Sequence, residues 1–196
     1  MFGGDRDQAA SVVAEKHRNF VVMKITRCIV LATLLVASYP SLAAPSVEVG
    51  FSPEGSAHKL VLGVIDNAQH SIQMMAYAFS APDIARALVA AQKRGVEVRV
   101  VIDKKRNEGK SSQKAMRYVT QNGVALRTND HYNIHHDKAI IVDGRIVETG
   151  SFNFAPSAET SNSENVIVIR EMPDVVQKYL AHWQSRWDLG VPYGER

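Results

Sequence analysis

The stretch Ile134-His135-His136-Asp137-Lys138-Ala139-Ile140-Ile141-Val142-Asp143-Gly144 holds the residues best suited to chemistry. It reads as a strand, on which side chains alternate between faces. His136 and Lys138 project to one side, about 6–7 Å apart along the strand, and His135 and Asp137 to the other. A phosphate reconciles an imidazole with an ammonium on one apolar strand face: Lys138 binds a non-bridging oxygen while His136 addresses phosphorus. Thr149-Gly150-Ser151-Phe152-Asn153-Phe154 follows. Gly150 allows a tight backbone approach, and Ser151 and Asn153 offer small neutral donors for phosphate oxygens. Glu164, in Ser161-Asn162-Ser163-Glu164-Asn165, precedes an apolar strand. A carboxylate there could hold the His136 imidazole in the right tautomer and stabilise its charged form.

Other readings of these residues explain less. A solvated strand could carry His136 and Lys138, but it does not call for Gly-Ser-x-Asn to follow in register. His131, His135 and His136 are metal ligands by type. Clustered on one strand they point in different directions, and no carboxylate or thiolate spacing completes a tetrahedral set. No metal and no cofactor is expected. Asp143 lies at odd spacing from His136 and at a turn, off the phosphate-facing side, so a structural role is expected for it. Asp103 to Lys110 carries four cations, Lys104, Lys105, Arg106 and Lys110, just after a strand. Loops at the carboxyl ends of parallel strands border active sites, which makes these four candidate phosphate-backbone contacts. A solvated loop is the plainer reading. Tyr132, Phe152 and Phe154 flank the motif and could stack on bases, with core packing as the default.

Together these residues read His-x-Lys, four residues, Asp, six residues, Gly-Ser-x-Asn. The pattern resembles the phospholipase D superfamily signature: His136, Lys138, Asp143, Gly150, Ser151 and Asn153 fall in register, and Glu164 matches the family's later carboxylate. From Val47 to about Leu189 the chain resembles the short bacterial Nuc-type endonucleases, exported members with a single motif. The resemblance implies that one histidine attacks phosphorus to form a phosphohistidine. A second histidine protonates the leaving oxygen and then activates water, without a metal. In-line displacement places nucleophile and leaving group on opposite sides of phosphorus, and one imidazole cannot occupy both. With one His-x-Lys unit per chain, a two-fold homodimer would bring His136, Lys138 and Asn153 in from both copies.

Positioning these groups requires a scaffold, and the hydrophobic pattern supplies one. Strands are expected at Val47–Phe51, Ser71–Tyr77, Val96–Ile102 and Val124–Arg127. Helices are expected between them at Ala57–Ala68, Ala81–Arg94 (with Ser80 as N-cap) and Ser111–Gln121. This alternation argues for an α/β fold with a mixed, largely parallel β-sheet flanked by helices, one domain per chain. Asn133–Val142 and Arg145–Glu148 flank Asp143-Gly144, a hairpin signal. Val166–Arg170 is a further strand, and Pro173–Trp187 an amphipathic helix.

The 196 residues suggest one domain able to bury a core. From Met23, Lys24 and Arg27 open a short basic start, Cys28–Ala37 is an apolar run too short to span a bilayer, and Ser41-Leu42-Ala43 supplies small residues. This is the pattern of a secretory signal peptide. The expected organisation is a signal at 23–43, an upstream extension at 1–22 explained if translation starts at Met23, and a phosphodiesterase domain at 44–196. The only cysteine, Cys28, lies inside the signal. The processed chain then has no disulfides or thiolate sites, which suits a periplasmic or secreted protein. The formal charge is +3; from Ala44 onward 18 Lys and Arg meet 17 Asp and Glu, leaving +1. Any basic character is therefore local.

Three functions are compatible with these residues. The first is an exported, non-specific endonuclease with nucleic acid as substrate, DNA and conceivably RNA. The second is a phospholipase D acting on phospholipid headgroups, which needs a membrane-binding surface that the processed sequence does not supply. No stable membrane anchor is expected after signal cleavage. The third is a catalytically silent nucleic-acid-binding domain, against which the intact motif argues.

Overall fold

The computed structural model describes residues 44–194. The expected signal at 23–43 and the segment at 1–22, Cys28 included, lie outside them. Among the described residues no helix is long and apolar enough to cross a membrane.

The chain runs β1 (Ser46–Ser52), α1 (Ser56–Asp66), β2 (Ser71–Ala76), α2 (Pro82–Lys93), β3 (Glu97–Asp103), α3 (Lys110–Gln121) and β4 (Ala125–Asn129). It continues through β5 (Lys138–Val142), β6 (Ile146–Gly150), the short α4 (Pro156–Thr160), β7 (Glu164–Arg170), α5 (Pro173–Asp188) and β8 (Val191–Pro192). The eight strands form one mixed sheet in the order β1-β7-β6-β5-β2-β3-β4-β8. The expected α/β class with flanking helices is present, but the parallel share is smaller than expected. Only β2–β3 and β3–β4 pair in parallel. The helix after β1 does not return the chain beside it: β1 sits at the far edge, antiparallel to β7. The β5–β6–β7 meander is antiparallel throughout.

Alternation along the strands divides the core in two. Ile72, Met74, Val100, Ile140 and Val168 bury one face beneath α1, α2 and α3. Met75, Val101, Ala139, Ile141 and Val147 bury the other beneath Val176 and Trp183 of α5. Residue 81, not the expected Ser80, caps α2, with Pro82 at the first helical position, where its missing N–H is no loss. The Ser80 and Ala81 amides donate instead to the Phe154 carbonyl, at 2.8 and 3.0 Å. This cross-tie joins the carboxyl end of β2 to the segment after β6.

Asp143 and Gly144 both have positive φ, 54° and 63°, as a type I′ hairpin requires. The structural role expected of Asp143 is visible in its bonds. Its carboxylate accepts the amides of Gln69, His70 and Ser71 at 2.9, 2.7 and 2.9 Å, anchoring the start of β2 to the β5–β6 turn. Burial pushes this carboxyl upward, but the three amides outweigh it and hold the group below its usual value of 3.8. Stability from a depressed carboxylate is present above the unfolded value and is lost as pH falls through the folded one. Asp143→Asn tolerates the left-handed backbone but gives up the charge and an acceptor oxygen, so it should lower stability by roughly 1–3 kcal/mol at pH 7. Chemical denaturation at descending pH should show the gap from the parent protein closing below about pH 3.8.

Candidate active site

β5 begins only at Lys138, opposite Ala76, the last residue of β2. The expected strand over 133–142 is therefore half as long: no neighbouring strand reaches 133–137, so their amides bond elsewhere. His136 sits in a loop at the carboxyl end of β2 and β3, and it still meets Lys138 more closely than strand spacing gives. Lys138 Nζ lies 3.3 Å from each His136 ring nitrogen and donates to the His136 carbonyl at 2.9 Å. His136 is exposed, whereas Lys138 is only 8% exposed. Tyr77, just beyond β2, packs its ring against His136 with centroids 4.5 Å apart. It also lies 5.4 Å beneath the Lys138 ammonium. The His136 imidazole thus rests against an aromatic ring and is otherwise exposed. Burial lowers the Lys138 pKa from the usual 10.5, against the raising influence of Glu164 and Asp137.

The Gly-Ser-x-Asn segment leaves β6 at the same end. Ala139 pairs with Thr149, and Thr149 Oγ1 donates to the Lys138 carbonyl at 3.0 Å. Gly150 is required by contact: a Cβ there would stand 2.1 Å from the Asn165 carbonyl oxygen. That close approach lets Ser151 pair with Asn165, its amide donating to the Asn165 carbonyl (3.1 Å) and its Oγ accepting the Asn165 amide (3.0 Å). The Ser151 hydroxyl proton remains free to donate outward. Asn153 Oδ1 is buried without a partner, an unmet acceptor of the kind a ligand donor satisfies. Glu164, at the start of β7, accepts from Asn162 Nδ2 at 2.9 Å. Its charge acts on Lys138, and it makes no hydrogen bond to His136 of its own chain. Asp143 stands at the opposite end of β5, away from this cluster.

Of the four loop cations, Arg106 approaches the site most directly, its guanidinium 5.8 Å from the Tyr77 ring. Lys104 turns away to pair with Asp130 at 2.6 Å. Lys105 and Lys110 are exposed. Phe152 and Phe154 are fully buried, so they pack the core and do not reach bases. Among the described residues the group with metal-ligand spacing is His58, Asp83 and Glu159, and it does not include His136.

The residue pattern did not single out the groups that hold the His136 loop and the Tyr77 segment beside it. Asp103 ends β3 and is buried; its carboxylate accepts the Arg106 amide at 2.6 Å and the His135 amide at 2.8 Å. Asn107 is fully buried. It accepts the Phe79 amide at 2.8 Å and donates to the Tyr77 and Asp103 carbonyls, both at 2.7 Å. Their place at the carboxyl end of a parallel strand was the available signal. His135 is buried behind the reactive face, with Asp137 3.5 Å away. Burial lowers its pKa, with Arg186 and His182 acting the same way and Asp137 and Asp103 opposing. Glu148 is buried with no partner on either oxygen, and burial alone raises it to about 8, which keeps it uncharged at neutral pH.

Residues 61–187 match the family described as cardiolipin synthase, PLD-like domain. A phospholipase D of Rickettsia conorii is 30% identical over 188 residues, 95% of this chain and 87% of that protein. The crystal structure of Nuc from Salmonella typhimurium, a phospholipase D family member, superposes with a TM-score of 0.76 at 56% identity, covering 78% of this chain and all of Nuc. NucT from Helicobacter pylori shares the fold at a TM-score of 0.65 and 22% identity, over 76% of this chain and all of NucT.

Proposed function

The chain belongs to the phospholipase D-like family, in which members such as Nuc hydrolyse phosphodiester bonds, and from that premise we propose that it is an exported, metal-independent endonuclease working through a phosphohistidine in a site shared by two copies. The observation that carries this reading is the contact of the Lys138 ammonium with both nitrogens of an exposed His136 imidazole, on the floor made by Tyr77. A histidine nitrogen attacks phosphorus, an N–P bond forms, and the P–O bond to the leaving group breaks. The partner's His136 supplies the proton to the departing oxygen, then takes one from the water that cleaves the N–P bond. Lys138, Asn153 and Ser151 hold the phosphoryl oxygens. Lys138 brings the compensating positive charge that a metal brings elsewhere.

Three features support the shared site. His136 is exposed, so a second acid can reach it. Glu164 bonds to no histidine among the described residues, which leaves it for the partner's. An apolar sheet face beside the site is uncovered: Val47, Val49 and Phe51 of β1 are 54%, 59% and 53% exposed, on the side shared with Ile167 and Ile169 of β7. A patch of this kind marks an interaction surface. The nuclease assignment is favoured by the 56% identity to Nuc; the relatives named phospholipase D keep the lipid reading as the alternative. Export rests on the sequence pattern at 23–43.

The deciding assay presents DNA and phosphatidylcholine vesicles side by side in excess EDTA. Cleavage of DNA at undiminished rate, with an acid-labile phosphoenzyme trapped on quenching, is expected. Loss of all turnover with the chelator and recovery with a divalent ion, or turnover of the vesicles alone, would overturn the reading.

A further inference from the structure

Beside the reactive cluster a cleft of about 510 Å³ runs between α2 and α3. Its mouth is formed by Ser80 and Pro156, which flank the cross-tie that holds the Asn153 segment against the end of β2. Ser80 and Pro156 each stand three residues along the chain from a residue of the candidate site, Tyr77 and Asn153, so this end of the cleft adjoins it. Its floor is made by Ala85 and Ala115, both buried, whose small side chains leave space above them between the two helices. Arg86 of α2 rises on one wall and Lys114 of α3 on the other, both exposed. Neither is salt-bridged to a described residue. Asp83, the acid in the first turn of α2, is occupied by His58 at 2.5 Å. Tyr118, 38% exposed, stands farther along α3, two turns from Ser111 at the mouth.

We infer that this cleft is a subsite for a single nucleic-acid strand next to the scissile phosphate, with Arg86 and Lys114 on successive phosphates and Tyr118 stacking on a base. This rests on the nuclease reading. Flexible cations facing each other across a narrow apolar floor suit a polyanion threaded between them. An aromatic at the far end is the sequence-tolerant platform that strand-binding grooves use. An acyl chain would fill the floor as well, but it would desolvate two unpaired cations without neutralising them.

The test compares three substrates on the full enzyme: a long single-stranded oligonucleotide, the small diester bis(p-nitrophenyl) phosphate, which cannot reach beyond the scissile site, and phosphatidylcholine vesicles. The double variant Arg86→Gln, Lys114→Gln should raise KM for the oligonucleotide about tenfold and leave the small diester unchanged. The log–log dependence of kcat/KM on salt should flatten by about 1.4, at ~0.7 per phosphate contact on single strands. Tyr118→Leu should raise the oligonucleotide KM by about fivefold or more, and Tyr118→Phe, which keeps the ring, should not. Parent enzyme that cleaves the oligonucleotide while the double variant keeps its KM and salt slope would overturn the subsite and leave the nuclease reading standing. Parent enzyme that ignores the oligonucleotide yet turns over the small diester would overturn both. Variants slowed only on vesicles would give the cleft to lipid and overturn the inference.

Discussion

His136→Ala is expected to lower kcat for phosphodiester cleavage by at least about 10⁴-fold and to abolish the trapped phosphoenzyme. General acid help alone is typically worth ~10² to 10⁴, and in a symmetric dimer this one substitution also removes the nucleophile. The fold should be undisturbed, because the imidazole is exposed and its contacts are to Lys138, held in β5, and to Tyr77, held by Asn107. Mixing tests the shared site independently. Equal amounts of parent and His136→Ala chains, refolded together, give about one quarter parent dimers and one half mixed dimers with a single imidazole. Activity should fall to about one quarter of the parent's, because neither orientation of substrate in a mixed dimer finds both a nucleophile and an acid. Activity at one half, the value for independent chains, would show that each chain carries a complete site. A phosphoenzyme that persists in His136→Ala would move the nucleophile elsewhere.

Lys138→Met, nearly isosteric, should cost about 10²- to 10³-fold in kcat, the usual penalty for removing one preorganised partner of the developing charge. The slot accepts the change sterically, since the lysine stem is already buried between β2 and β6. The pH dependence is the sharper signature. Burial holds the ammonium below 10.5 despite Glu164 and Asp137. An ammonium is charged below its pKa and neutral above it, so kcat/KM should fall on the alkaline side at a pH below 10.5. Lys138→Arg, which cannot deprotonate in this range, should lose that limb whatever its absolute rate. An alkaline limb unchanged in Lys138→Arg would assign it to another group.

The His136–Lys138 cluster was legible because it is written in local spacing. His136 and Lys138 stay two residues apart whether or not the loop is a strand, and Gly150, Ser151 and Asn153 follow in one short segment. The Asp143-Gly144 turn was legible for the same reason: positive φ at two successive residues narrows the choice of types. The elements were also largely readable, because apolar periodicity records burial directly. Their partners were not. The alternation of β1, α1 and β2 suits a parallel neighbour, yet β1 travels to the far edge beside β7. No local signal says where an edge strand docks. The β5 boundary was missed because a strand ends where its neighbour ends, and β2 stops at Ala76. The short α4 and the two-residue β8 carry too few residues to show a period.

Residue types and intervals alone therefore determined the pairing of His136 with Lys138, the glycine before the serine and asparagine, and the α/β character of the chain. All of these depend on covalent neighbours and on side-chain periodicity. Tertiary structure alone decided that Asp103 holds the His136 loop through the His135 amide, that Asn107 holds the Tyr77–Phe79 segment, and that Gly150 is demanded by the Asn165 carbonyl. It also laid Tyr77 beneath the imidazole, left one face of β1 uncovered, and opened a cleft between α2 and α3 with Arg86 and Lys114 in its lining. Each of these joins residues remote in the chain, and their contact energies exist only once the sheet order has brought the strands side by side.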